Sequence, residues 1–223
     1  MNLKSFVKSS PLFAPLTRWL RAPRPVDSSG YWERRYRRGG DSGAGSYNRL
    51  AAFKAQFLNE FVRINEVGSV IEFGTGDGAQ LALAEYPAYL GIDVSHTVLE
   101  LVRTKFSNIN SYTFLHSSEV DSQTKAELSI SLDVVYHLVE NHVYERYMHQ
   151  LFDASKEWVI IYASDREGWV APHVRHRKFS RWVEKNRPDF TLTAHVPNRY
   201  PFDAADPDNT SFADFYVYAK KYR

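Results

Sequence analysis

Nine residues constrain this chain more than any others: Val70-Ile71-Glu72-Phe73-Gly74-Thr75-Gly76-Asp77-Gly78. A short apolar run bounded by turn residues reads as a buried strand, and the glycines at 74, 76 and 78 break it at once. The stretch after the break, Gln80 to Tyr86, reads as a helix. A glycine turn between strand and helix lets the backbone approach a nucleotide-like ligand closely, because no Cβ stands in the way. Such a turn predicts α/β architecture with a ligand at the carboxyl ends of the strands.

The rest of the chain keeps that rhythm. Leu50, Phe53, Phe57, Leu58, Phe61 and Val62 recur at helical spacing in a segment from Ser46 to Asn65 that lacks Gly and Pro. Ala88 to Asp93 is a second strand, Thr97 to Phe106 a helix, Tyr112 to His116 a third strand, and Leu128 to Val134 a fourth. A helix from His142 to Phe152 and a buried strand from Trp158 to Ala163 follow. Beyond them a basic helix is expected over Val174 to Asn186, then strands over Phe190 to Val196 and Phe212 to Ala219, joined by the polar loop Pro197 to Thr210. Alternating strands and helices predict a Rossmann-like, doubly wound, mostly parallel sheet, and a late strand pair without a helix between predicts an antiparallel edge.

A length of 223 residues suits one α/β core. Residues 1–45, rich in Pro, Gly, Ser and Arg and ending in Gly39-Gly40-Asp41-Ser42-Gly43-Ala44-Gly45, are expected to hold no regular element for long, leaving 46–223 as the folded domain. The net charge is only +2, which gives no general case for a nucleic-acid partner. The charge that stands out is local: Lys4, Lys8, Arg18, Arg21, Arg24, Arg34, Arg35, Arg37 and Arg38 face only Asp27 and Glu33, so the arm is suited to an anionic partner or surface. The absence of cysteine excludes disulfides, thiolate nucleophiles and cysteine-ligated zinc. Pro11 to Leu20 is too short and proline-broken for a signal peptide or a membrane span, and a cytoplasmic location is expected.

Two cofactors use a glycine turn of this kind. Gly74-Thr75-Gly76-Asp77-Gly78-Ala79 satisfies both the G-x-G-x-G form and the dinucleotide form G-x-G-x-x-A. Charge separates them. A dinucleotide sets an anionic pyrophosphate on the helix N-terminus, where Asp77 would repel it, whereas S-adenosylmethionine carries a sulfonium and an ammonium that Glu72 and Asp77 attract. Asp93, at the end of the second strand, is placed to accept both hydroxyls of a ribose in either case.

The glycine segment together with Gly91-Ile92-Asp93-Val94-Ser95 resembles the class I S-adenosylmethionine-dependent methyltransferase superfamily over roughly residues 46–222. The resemblance implies a seven-stranded sheet with an antiparallel last strand, supplied by Phe212 to Tyr218. It implies a donor-binding set of Glu72, Gly74, Thr75, Gly76, Asp77, Gly78, Asp93, Val94 and Ser117. Asp93 then holds the ribose and Glu72 supports the glycine loop and the methionine end. Ser117, in Leu115-His116-Ser117-Ser118-Glu119, stands where the family more often has an acid facing the adenine.

Methyl transfer aligns acceptor, methyl and sulfur, and a hydroxyl acceptor must also lose a proton. Leu132 to His142 follows the fourth strand and resembles the superfamily's acid-x-x-x-His segment. His137 is the first candidate for the base, with Asp133 and His142 behind it. Against this, His137 can simply pack at a strand end, Asp133 can cap a turn and His142 can start a helix. His137, Glu140 and His142 lack established metal-ligand spacing, and no metal is expected. His173, Arg175, His176, Arg177, Lys178 and Arg181 would share one helical face, either solvated or turned toward an anionic acceptor. Tyr31-Trp32-Glu33-Arg34-Arg35-Tyr36-Arg37-Arg38, with the glycine loop behind it, is either a lid over the cofactor or an arm packed on the core. These segments and Pro197-Asn198-Arg199-Tyr200-Pro201 resemble small bacterial methyltransferases of surface-polysaccharide and secondary-metabolite pathways, implying an O-methylated small molecule or saccharide. The alternatives left open are N-methylation of a small molecule or protein, and a donor-binding module without catalysis.

Overall fold

All four residues of β1 (Val70–Phe73) are buried, as a strand covered on both faces requires. In the computed structural model, which describes residues 27–221, β1 pairs in parallel with β2 (Tyr89–Asp93) on one side and β4 (Ala126–Leu132) on the other. β3 (Tyr112–His116) extends the sheet beyond β2, and β5 (Ser155–Ala163) extends it beyond β4, both in parallel. The chain therefore winds outward from β1 in one direction and then crosses to wind in the other. The carboxyl ends of β1 and β4 bracket the switch point, where a crevice opens in sheets of this kind.

The sheet closes on two further strands, β8 (Phe190–Val196) and β9 (Asp214–Lys220), giving seven strands in the order β3-β2-β1-β4-β5-β9-β8. β9 lies antiparallel between β5 and β8, as expected for the last strand. A separate hairpin of β6 (Gly168–Ala171) and β7 (Val174–His176) stands over the carboxyl end of β5.

Helices cover both faces. α2 (Asn48–Ile64) and α3 (His96–Lys105) bury Phe53, Leu58, Val62, Leu99 and Val102 against one, and α4 (Asn141–Asp153) and α5 (Phe179–Asn186) bury Met148, Leu151, Phe152, Phe179 and Val183 against the other. Each such side chain contributes about 1.5–3 kcal/mol by leaving water.

Three expectations are corrected. Gln80 to Tyr86 is not a helix but a single 3₁₀ turn, Leu81–Leu83, after which the backbone extends toward Pro87, whose ring disfavours helix in the residue before it. Val174 to Asn186 is not one basic helix: its first residues form β7, and only Phe179–Asn186 is helical. Within residues 1–45, Ser28–Arg37 forms a helix, α1, started by Asp27, whose Oδ2 accepts from the Gly30 amide at 3.1 Å. Arg34, Arg35 and Arg37 sit in its last turn, where the helix dipole favours cations. Lys4, Lys8, Arg18, Arg21 and Arg24 lie outside the described residues.

Candidate active site

The carboxyl ends of β1, β2 and β4 form the floor of a cavity of about 510 Å³, and α1 forms much of its roof. The cavity gathers Glu72, Gly74, Thr75, Gly76, Asp77, Asp93, Val94, Ser117, Asp133 and His137. It does not include Gly78 or His142. A Cβ on Gly78 would come within 2.6 Å of the Phe106 ring, so this glycine brings the loop close to α3. His142 is exposed in the first turn of α4 and is removed from the candidate bases.

On the floor, the Gly76 amide donates to Asp93 Oδ2 at 3.1 Å and the Ser95 amide donates to Asp93 Oδ1 at 3.0 Å. Gly76 has φ +57°, and a Cβ there would strike the Ser42 hydroxyl. Glu72 accepts from the Tyr89 hydroxyl at 2.7 Å, and Tyr89 in turn accepts from Thr75 at 2.7 Å. Burial in the sheet pushes both carboxyls up, Glu72 to about 7 against the pull of Tyr89 and Lys54, and Asp93 to about 6 against its backbone amides. Two desolvated carboxyls beside one cavity favour a cationic ligand and repel a pyrophosphate.

Asp77 has a different task from its neighbours. Its Oδ2 accepts from the Ser42 amide at 2.8 Å and the Tyr47 hydroxyl at 2.6 Å, while the Asp77 amide donates to Ser42 Oγ at 2.9 Å. Burial alone would raise this carboxyl, but these bonds and one from the Ala79 amide hold it below the usual range. Asp77 thus fastens the 38–47 loop to the glycine turn.

The roof is held at the start and in the middle of α1. The Ser28 amide donates to Glu140 Oε1 at 2.9 Å, and Glu33 accepts from Ser95 Oγ and Thr97 Oγ1 at 2.6 Å each, at the start of α3. On the same helix, Trp32 and Tyr36 stack 5.7 Å apart and line the cavity, and Tyr36 is bonded to Ser42 at 3.1 Å.

His137 closes the end of the cavity beyond β4. Its Nδ1 lies 3.0 Å from the His173 backbone oxygen. A carbonyl oxygen only accepts, so Nδ1 carries the proton and Nε2 keeps its lone pair. Burial lowers this imidazole to about 4, so it is neutral through the physiological range. The Trp32 ring meets His137 edge-on at 5.0 Å. The segment behind it is braced by Arg177, whose Nη2 donates to the Leu138 and Val139 carbonyls at 3.0 Å each. The expected basic face thus does not exist as one surface: His173 fixes a tautomer, Arg177 braces a loop and His176 is buried.

Asp133 is not a free base. Its Oδ2 lies 2.6 Å from Lys54 Nζ, and its Oδ1 accepts from the Tyr136 hydroxyl at 2.7 Å. Lys54 went unnoticed because lysine on an amphipathic helix usually marks the wet face. The available signal was its spacing: Leu50, Lys54, Leu58 and Val62 recur every fourth residue, which puts Lys54 on the apolar stripe, where it is 1% exposed. Gln80, also on the cavity wall, was missed as well.

No protein-family model and no curated protein matches the sequence. Solved structures do. The chain aligns with the N-methyltransferase NodS from Bradyrhizobium japonicum WM9, in complex with S-adenosyl-L-homocysteine, at TM-score 0.65 and 13% identity, over 87% of this chain and 99% of that one. It aligns with magnesium protoporphyrin IX methyltransferase from Synechocystis PCC 6803, with bound S-adenosylmethionine, at TM-score 0.63 and 14% identity, over 88% and 98%. This is the methyltransferase fold. A third match, the methyltransferase domain of bacterial CtHen1, gives TM-score 0.59 at 17% identity over 75% and 96%. The methyltransferase fold accounts for the strand order, the antiparallel β9 and the placing of the cavity at the switch point.

Proposed function

We propose that the chain is an S-adenosylmethionine-dependent methyltransferase that methylates an oxygen of a small molecule or saccharide. The observation that carries the proposal is the pair Glu72 and Asp93, two desolvated carboxyls at the ends of β1 and β2 with the glycine turn beside them. Their charge complements a sulfonium donor and opposes a dinucleotide, and the fold is one in which such donors bind. The residues present fit the donor: Asp93 keeps lone pairs for ribose hydroxyls, Val94 and Ser117 line the cavity beside it and would meet the adenine, and the turn of Gly74, Thr75 and Gly76 allows close approach. Once bound, S-adenosylmethionine supplies an electrophilic methyl group.

The chain's residues supply the rest. Trp32 and Tyr36 cover the cavity and keep water from it. His137 Nε2 accepts the proton of an acceptor hydroxyl, and its tautomer is held in advance by the His173 carbonyl. Tyr31 stacks on His173 at 4.5 Å beside Trp32, and of these rings Trp32 lines the cavity, where a sugar ring can lie against it.

Calorimetric titration with S-adenosylmethionine and, in parallel, NAD tests the donor. Saturable binding of the first alone is expected, and binding of NAD alone overturns the proposal. Methyl transfer to a panel of sugars, small hydroxylated molecules, amines and a short RNA then tests the acceptor. Transfer to amine or RNA in place of hydroxyl acceptors would overturn the oxygen assignment while leaving the donor.

A further inference from the structure

The roof helix carries different chemistry on its two faces. Ser28, Ser29, Trp32 and Tyr36 line the cavity on the inner face, and Arg34, Arg37 and Arg38 are exposed on the outer one. At about 3.6 residues per turn, those three arginines fall within about 100° of the helix circumference. None of the three forms an ion pair among the described residues, whereas Arg35 is tied to Asp41 at 2.7 Å. The two acids nearby are engaged already: Asp27 Oδ2 accepts from the Gly30 amide at 3.1 Å, and Glu33 accepts from Ser95 and Thr97 at the start of α3. The outer face of α1 is therefore left cationic.

The sequence leading into α1 continues that charge. Residues 1–26 contain Lys4, Lys8, Arg18, Arg21 and Arg24 and no Asp or Glu. Among these cations stand Phe6, Leu12, Phe13, Leu16, Trp19 and Leu20. That mixture discriminates between anionic surfaces. A phosphate backbone is met by cations and its bases by flat rings, but aliphatic side chains find nothing to enter there. A bilayer interface takes both kinds: cations meet anionic headgroups, and Leu, Phe and Trp enter the acyl boundary. Pro11, Pro15 and the cations interrupt every apolar run well short of the roughly 20 residues that a span requires, so the composition suits contact with a membrane rather than passage through it.

The two parts meet where the roof is anchored. The Ser28 amide donates to Glu140 in the first turn of α1, and the ten residues of helix set Arg38 about 15 Å from that point. One flat anionic surface can engage both. We infer that residues 1–26 and the outer face of α1 together form a docking surface for an anionic lipid bilayer, which brings the roof of the cavity against the membrane. The inference goes beyond the proposed function and depends on neither its donor nor its acceptor.

Flotation of the whole chain with vesicles tests this, comparing pure phosphatidylcholine with a phosphatidylcholine–phosphatidylserine mixture. Partition onto the mixed vesicles should be at least about tenfold stronger and should fall as salt rises, since each Lys or Arg near an anionic surface gives about a fivefold gain. Replacing the outer face by Arg34→Gln, Arg37→Gln and Arg38→Gln together should weaken binding to the mixed vesicles about tenfold or more. Phe13→Ser with Trp19→Ser, which keeps every cation and every described residue, is the second variant and should weaken it several-fold. Equal partition onto the two vesicle types, or undiminished binding in either variant, would overturn the inference. A short mixed-sequence RNA serves as the rival probe. Tighter binding of that RNA than of the mixed vesicles, unaltered by Phe13→Ser with Trp19→Ser, would replace the bilayer by a nucleic acid; weaker RNA binding supports the bilayer.

Discussion

The floor and the roof of the cavity are built by opposite means. The floor is backbone at the ends of β1, β2 and β4, strands fixed by ladders on both sides and by cores on both faces. The roof is one ten-residue helix held over the cavity by side-chain bonds at Glu140 and Glu33, with the following loop fastened at Asp77. Sheet-borne groups are placed by many interactions at once, whereas α1 depends on a few carboxylate bonds worth about 1.5–3 kcal/mol each, and movable lids are drawn from segments held by few contacts. On the proposed function, affinity is expected to belong to the floor and exchange rates to the roof.

The largest effect expected is on the floor. Asp93→Ala removes an acceptor for two ribose hydroxyls, each charge-assisted bond contributing about 1.5–3 kcal/mol. S-adenosylmethionine affinity should fall about 100-fold or more in calorimetry, and unaltered affinity would detach Asp93 from the ribose. His137→Ala sharpens the contrast from the acceptor side. Turnover on a hydroxyl acceptor should drop about 100-fold, at the lower end for a general base, while donor affinity holds within about threefold. Unchanged turnover would leave His137 a packing residue.

Acid should weaken the floor specifically. Glu72 and Asp93 titrate above the ordinary carboxyl range, at about 7 and about 6, so lowering the pH through those values protonates them and removes the charge facing a cationic donor. Donor binding must pull both values down, so S-adenosylmethionine affinity should decline about tenfold from pH 8 to pH 5. S-adenosylhomocysteine, without the sulfonium, should decline less. Identical profiles would place the positive sulfur away from both carboxyls. The smallest effect belongs to the roof: Glu140→Ala should speed donor release about three- to tenfold in stopped-flow, with equilibrium affinity changed less. Unchanged release would mean that α1 does not obstruct the exit.

The same division governs what was legible in the sequence. The strands showed because burial on two faces demands near-continuous apolar runs, as in Val70–Phe73 and Trp158 to Ala163, and the turn of Gly74, Gly76 and Gly78 showed because its positive φ angles favour glycine. The roof did not show. α1 carries two serines, a glycine and four charged residues, and its helix is stabilised by a cap and by contacts with α3 and Glu140 that local sequence does not encode. Lys54 and Gln80 were hidden for a related reason: a polar residue on a core face looks ordinary until its partner 79 residues away, Asp133, is brought to it.

The carbonyl of His173 sits in the turn between β6 and β7, in the connection from β5 to α5 that no sheet ladder constrains. That turn decides which nitrogen of His137 holds the proton. A replacement hairpin of different length would therefore be expected to alter this end of the cavity and the protonation pattern of His137 in one exchange, with Glu72, Asp93 and the glycine turn untouched. One turn thus sets both the hydrogen bond on His137 and the stacking of Tyr31.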